Sequence, residues 1–169
     1  MLNKPTIYKS KVFFDKRGFF QEIYLKKNIK SSILFTAIAQ SKKNVIRGLH
    51  FQEKSKQTKI IYVAEGKILD VVVNLKKKSK YFGKVYKFIL SKGDILVVPN
   101  FFAHGYECLS KNCTIFYHLD NYRNKKAEKG IKFNDKDLKI KWTSKKPIIS
   151  ERDKLSGSFD DFKKNIKSL

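Results

Sequence analysis

Apolar residues recur along this chain at two spacings, and the shorter one dominates. In IIYVAEGKILDVVVNL, residues 60–75, two apolar runs flank Glu65-Gly66, a turn-forming pair. That pattern predicts two strands joined as a hairpin. In the second run Leu69, Val71, Val73 and Leu75 share one face, and Ile68, Asp70, Val72 and Asn74 share the other. Both faces are partly apolar, as expected where one packs on a second sheet and the other lines a lumen. Further strands are predicted at Lys84–Leu90, Ile95–Val98 and Thr114–Leu119. They are punctuated by Lys92-Gly93-Asp94, Pro99-Asn100 and Ser110–Asn112. Many short strands at regular spacing argue for an all-β sandwich or barrel. The helical spacing stands out only at the end of the chain. Ser158 is placed to cap a helix with Asp160 and Asp161 in its first turn. Phe159, Phe162, Ile166 and Leu169 then predict a short amphipathic helix near 158–169. No repeat or linker interrupts the pattern, so one domain over 1–169 is expected.

Composition narrows the class. A chain of 169 residues with 41% apolar and 14% aromatic residues can bury a core and is not disordered. No apolar run approaches the roughly 20 residues that span a bilayer. The segment MLNKPTIYKSKVFF lacks the apolar stretch and cleavage site of a signal peptide, so a cytoplasmic protein away from membranes is expected. The formal net charge of +23 raises three kinds of anionic partner: nucleic acid, a membrane surface or a small substrate. The lysines are spread along the whole chain, and arginine occurs only at Arg17, Arg47, Arg123 and Arg152. Lysine is a point charge, less suited than arginine to bidentate reading of bases. The pattern favours a solvated basic surface that also attracts an anionic substrate, with no nucleic-acid partner. A nucleic-acid module, the competing class, would bind with a steep salt dependence. Cys108 and Cys113 flank a short turn. If the flanking segments pair as a hairpin the thiols come close, and in a cytosolic chain both are expected free and reduced.

The histidines are His50, His104 and His118. Arg47, His50 and Lys59 fall within thirteen positions, with Gly48 between the first two. Strict alternation would put Arg47 and His50 on opposite faces, so a kink or bulge at Gly48 is predicted. Basic groups this close are costly to bury unless an anion, from protein or substrate, sits among them. In KGDILVVPNFFAHG, the spacing of Gly93, Pro99 and His104 resembles the second half of the cupin metal signature. The first half would supply a His-x-His pair, but here it reads His50-Phe51-Gln52. Glutamine is a poor ligand for metals that imidazole favours, so no metal and no cofactor are expected.

DKRGFFQE, NVIRGLHFQ, TKIIYVAEGKILDVVVNL, the Pro99–Gly105 segment, TIFYHLDNY, GIKFNDKDLKIKW and ISERD together resemble the dTDP-4-dehydrorhamnose 3,5-epimerases. The similarity runs in colinear order over roughly residues 12 to 155. It implies a cupin jelly roll (double-stranded β-helix) with short flanking helices, a homodimer that exchanges strands, and no metal. It implies a nucleoside-diphosphate 4-keto-6-deoxyhexose as substrate, commonly for surface polysaccharide or natural-product sugars. It carries the general base onto His50, its partner carboxylate onto Asp153, the acid onto Tyr117 and the enolate-stabilising lysine onto Lys59. Substrate contacts fall on Arg17, Glu22, Arg47, His104 and Glu128, with Arg152 where the family has lysine beside the aspartate. Asp70, usually acidic in the family, is placed to orient His104 or a lysine.

These residue types suit that chemistry on independent grounds. A ketone at carbon 4 acidifies the hydrogens on carbons 3 and 5, and an imidazole has the right basicity to remove one. A carboxylate beside it fixes the tautomer and stabilises the imidazolium. Charge developing on the keto oxygen is best met by a cation. Inversion requires a second acid on the opposite face, which a tyrosine can supply. Phe19, Phe20 and Tyr122 are candidates to stack on the base. The pattern breaks upstream of NVIRGLHFQ, where Phe35 and Ala37 replace a glutamine and an asparagine that touch substrate in the family. Lost hydrogen bonds there bear on which sugar is bound more than on the reaction. A 5-epimerase or ketoisomerase relative, and a non-catalytic nucleotide-sugar binder, are the competing readings within this fold.

Overall fold

A computed structural model describes residues 3–165 of the chain. Its strands are β1 (Thr6–Ile7), β2 (Val12–Asp15), β3 (Gly18–Gln21), β4 (Phe35–Lys42), β5 (Ile46–Gln52), β6 (Lys59–Glu65), β7 (Lys67–Asn74), β8 (Val85–Ser91), β9 (Ile95–Val98), β10 (Phe102–Cys108), β11 (Asn112–Leu119) and β12 (Glu128–Gly130). Three short helices accompany them: α1 (Lys26–Ile29), α2 (Glu151–Lys154) and α3 (Phe159–Asn165). One antiparallel sheet has the order β1-β9-β6-β11-β4, and the other β12-β5-β10-β7-β8. From β4 onward the chain passes repeatedly from one sheet to the other, the strand order of the expected jelly roll. β2 and β3 form a separate two-stranded ribbon.

The two faces of the Lys67–Asn74 strand are both buried, as its alternation predicts. Ile68 and Val72 point inward against Ile61, Val63, Leu96 and Ile115 of the facing sheet. Leu69, Val71 and Val73 point outward, where Ile131, Leu138, Phe159 and Phe162 of the C-terminal segment cover them. Buried Glu107 fastens that segment by accepting hydrogen bonds from Thr143 N–H at 2.7 Å and Ser144 N–H at 2.8 Å. The C-terminal helix is capped by Ser158, whose Oγ accepts from Asp161 N–H at 3.0 Å. Ile166 and Leu169, expected on the same helix, lie outside the described residues.

One prediction is corrected. β6 and β7 do not form a hairpin: β6 pairs with β9 and β11, and β7 with β8 and β10. Gly66 carries the chain across between sheets, and with φ +80° a Cβ there would stand 2.2 Å from the Asn112 carbonyl oxygen. A tight Glu-Gly turn reads alike in sequence whether it reverses a strand within a sheet or crosses to the next. The same holds for Cys108 and Cys113, whose strands also join opposite sheets. Their thiols are nonetheless close enough to hydrogen-bond, and both are free and buried. Burial, followed by that contact, pushes the Cys113 thiol far up.

Candidate active site

A cavity of about 580 Å³ opens where β4, β6 and β11 of one sheet face β5 and β10 of the other. His50, Arg47 and His104 reach it from the second sheet, and Lys59 and Tyr117 from the first. The predicted irregularity at Gly48 is what makes this possible. His104 is opposite His50 and Tyr106 is opposite Arg47, so three steps on β5 match two on β10. The extra residue turns Arg47 and His50 to the same cavity. Gly48 has φ +113°, and a Cβ on it would lie 2.7 Å from both Gly105 Cα and the His104 carbonyl oxygen. Only glycine fits so close an approach of two backbones.

Asp153 reaches His50 from over a hundred residues downstream. Ile148 pairs with Val45, just before β5, and exchanges hydrogen bonds with Asn44 and Ile46, which brings the following helix α2 alongside. Ser150 caps that helix, its Oγ accepting from Asp153 N–H at 3.2 Å. The Asp153 carboxylate lies 2.6 Å from His50 Nε2 through Oδ1 and accepts from Gly48 N–H at 3.0 Å through Oδ2. Burial pushes this carboxyl up, but the hydrogen bonds from His50, Gly48 and Ser150 and the charge on His50 more than offset it and hold it below the ordinary value. An ionised Asp153 assigns the proton to Nε2, leaving the lone pair on Nδ1.

Lys59 and Tyr117 have unusual environments. Desolvation lowers the Lys59 ammonium to about 8, against the opposing pull of Asp120, Glu128 and Asp70. Desolvation likewise raises Tyr117 well above its ordinary value, helped by Tyr106 and Asp70. At neutral pH Lys59 is therefore mostly charged and Tyr117 fully protonated. The His104 ring stands edge-on to Tyr117 at 5.9 Å between centroids, and its Nε2 meets the buried Asp70 Oδ2 at 2.7 Å. Asp70 thus contacts His104, the first of the two partners anticipated for it.

Glu128 and Arg152 also line the cavity, and both are in contact, Arg152 Nη2 lying 3.2 Å from Glu128 Oε1. Phe35 and Ala37 line it too, together with Ala39, so the departure from the family pattern falls on a cavity wall. Arg17 and Glu22 are not brought to it. Arg17 sits at the tip of the β2–β3 ribbon, exposed and paired with Asp15 at 2.6 Å. Phe19, Phe20 and Tyr122 are exposed and likewise absent from the lining. The Gln52 amide is committed to the Ser55 and Tyr122 carbonyls and to Asn124 N–H. Among the described residues, no three His, Cys, Asp or Glu side chains converge as a metal-ligand group.

Arg123 was missed by the sequence reading. It lines the cavity, its Nε donating to Glu128 Oε2 at 2.9 Å. The rarity of arginine, four of the 38 basic residues, does not by itself separate Arg123 from the exposed Arg17, and the structure adds that Arg47, Arg123 and Arg152 all line this one cavity.

The comparison that decides the family is one of sequence: the family model described as dTDP-4-dehydrorhamnose 3,5-epimerase matches residues 1–161. The chain belongs to the dTDP-4-dehydrorhamnose 3,5-epimerase family. The dTDP-4-dehydrorhamnose 3,5-epimerase of Shigella flexneri is 34% identical over 164 residues, covering 92% of this chain and 91% of the relative. The crystal structure of the Elizabethkingia anophelis dTDP-4-dehydrorhamnose 3,5-epimerase matches with a TM-score of 0.88 and 37% identity, over 95% of this chain and 93% of that one. The Bacillus anthracis dTDP-4-dehydrorhamnose 3,5-epimerase, solved with TDP and PPi bound, matches with a TM-score of 0.87 and 36% identity, over 91% of this chain and 93% of that one. The cupin jelly roll is therefore the fold of this chain, and its class is isomerase.

Proposed function

We propose that the chain epimerises a thymidine-diphosphate-linked 4-keto-6-deoxyhexose at carbon 3, carbon 5 or both. One observation carries the reading beyond family membership: His50 on one sheet, paired with Asp153 of α2, and Tyr117 with Lys59 on the other sheet line a single cavity. Epimerisation needs a base and an acid on opposite sides of one carbon, and two facing sheets supply them.

In this reading His50 Nδ1 takes the proton from the carbon beside the ketone. The bonding pair shifts to form the carbon–carbon double bond of an enolate, and the negative charge comes to rest on the keto oxygen. Lys59 stabilises that charge, and Asp153 stabilises the imidazolium. Tyr117 then delivers its phenolic proton to the opposite face, and the ketone re-forms with inverted configuration. Solvent exchange returns a proton to the tyrosinate and removes the one held by His50. Incubation with dTDP-4-keto-6-deoxyglucose in heavy water should place deuterium at each inverted carbon, read by NMR. Absence of both exchange and inversion would sink the proposal.

Phe35 and Ala37 favour a narrower second reading, a 5-epimerase or ketoisomerase relative, because two cavity positions lack the polar groups expected of the family. The same NMR spectrum separates these outcomes by which carbon carries deuterium. We also read the chain as a cytoplasmic homodimer. The β2–β3 ribbon exposes Phe13, Phe14, Phe19 and Phe20, and it carries Arg17, which its own cavity does not receive. A ribbon exchanged with a second copy would cover those rings and bring Arg17 to a substrate.

A further inference from the structure

Arg123 has no part in the reaction steps above, yet it is held more firmly than any surface arginine requires. One buried side chain grips its backbone on both sides: Gln52 Nε2 donates to the Tyr122 carbonyl at 3.3 Å, and Gln52 Oε1 accepts from Asn124 N–H at 2.6 Å. Buried Gln57 adds a third tie, donating through Nε2 to the Asn121 carbonyl at 2.9 Å. The guanidinium is fixed in turn by Glu128, whose Oε2 accepts from Arg123 Nε at 2.9 Å while its Oε1 faces Arg152 Nη2 at 3.2 Å. The Glu128 side chain is 12% exposed and both arginine side chains 49%. Burial pushes the Glu128 carboxyl up, but the two arginines more than offset it, so the group stays ionised.

One carboxylate between two guanidinium groups leaves a single excess positive charge. Each guanidinium also keeps N–H donors that Glu128 does not use. All three residues line the cavity that holds His50. A carboxylate here with free oxygens would repel an anionic ligand, whereas one with both oxygens turned to cations does not. Arginine offers a planar fork that matches phosphate oxygens, which the lysines of this chain do not.

On the reading of the chain as a nucleotide-sugar epimerase, on which this inference rests, we propose that Arg123 binds the substrate's diphosphate. Glu128 is then a positioning residue that spreads Arg123 and Arg152, rather than the direct substrate contact that the family resemblance suggests. Gln52, at the position where a metal cupin would carry a ligand, holds the loop that presents Arg123.

The test is calorimetric titration of the full chain with dTDP, with thymidine measured in competition. Arg123→Gln should weaken dTDP by about 10- to 100-fold, the range for a charge-assisted hydrogen bond, and leave thymidine unchanged. Arg123→Lys should recover part of the loss. Glu128→Gln should weaken dTDP in the same direction with thymidine unaffected. The double variant should lose less than the product of the two single losses, because both act through one guanidinium. With substrate, the Arg123→Gln loss should fall on KM more than on kcat. Arg123→Gln binding dTDP as tightly as wild type, or losing dTDP and thymidine alike, overturns the clamp and leaves the epimerase reading standing. A wild-type chain that neither binds dTDP nor exchanges deuterium overturns both.

Discussion

At Lys59 the desolvation that tunes the site also strains the fold. The ammonium is lowered from 10.5 to about 8, so between those pH values the unfolded chain holds a proton that the native chain has lost. Stability from this group therefore rises with pH from about 8 to about 10.5, while the charge that the proposed reaction places at the enolate oxygen disappears over the lower part of that window. Two outcomes are expected. Lys59→Met should stabilise the protein at pH 7 by about 1–3 kcal/mol, measured by urea denaturation, while lowering kcat by roughly 10²- to 10³-fold. The kcat profile of the wild type should fall on the alkaline side near pH 8, and Lys59→Arg should move that limb upward. A Lys59→Met variant that is less stable and fully active would contradict both roles. The residue scale is also where the sequence says most about chemistry. The family resemblance singled out His50, Asp153, Tyr117 and Lys59, and all four line one cavity. Arg123 is not, because what distinguishes it is a pair of glutamines from elsewhere in the chain that grip its neighbours.

At the scale of elements, the alternation of Ile68 to Leu75 revealed both buried faces, and the spans at Ile95–Val98 and Thr114–Leu119 were legible within two residues. Pairing partners were not. Periodicity reports which side of a strand is apolar and says nothing of which sheet the next strand joins, so Glu65-Gly66 read as a hairpin instead of a crossing. The kink at Gly48 was legible, because two functional side chains three apart on a strand cannot share a face without an extra residue. Gly48→Ala should destabilise the chain by about 2 kcal/mol or more, since φ +113° and the contact with Gly105 leave no room for a methyl group. Activity should fall further than stability alone explains, since Arg47 and His50 would no longer share one wall. A denaturation midpoint equal to wild type would remove this account of β5. The β4 wall of Phe35, Ala37 and Ala39 belongs to this scale too, since one strand face decides how many hydrogen bonds a sugar finds.

At the scale of the whole molecule, the cavity of one chain receives His50, Asp153, Tyr117 and Lys59, but neither Arg17 nor Glu22. Sedimentation should give twice the chain mass, and Arg17→Ala should weaken dTDP binding without altering the fold of either copy. A monomer binding dTDP as tightly with Arg17→Ala as without would refute the exchange of ribbons. The net charge of +23 adds a long-range attraction for a diphosphate without marking any one site. The central claim is the division of labour between two sheets, a base on one and an acid on the other. Deuterium exchange in heavy water with His50→Asn and Tyr117→Phe tests it most directly. The account predicts that Tyr117→Phe still exchanges the proton beside the ketone with retained configuration, through His50 alone, while inverted product nearly vanishes, and that His50→Asn does neither. Exchange persisting in His50→Asn, or exchange and inversion falling together in Tyr117→Phe, would contradict it.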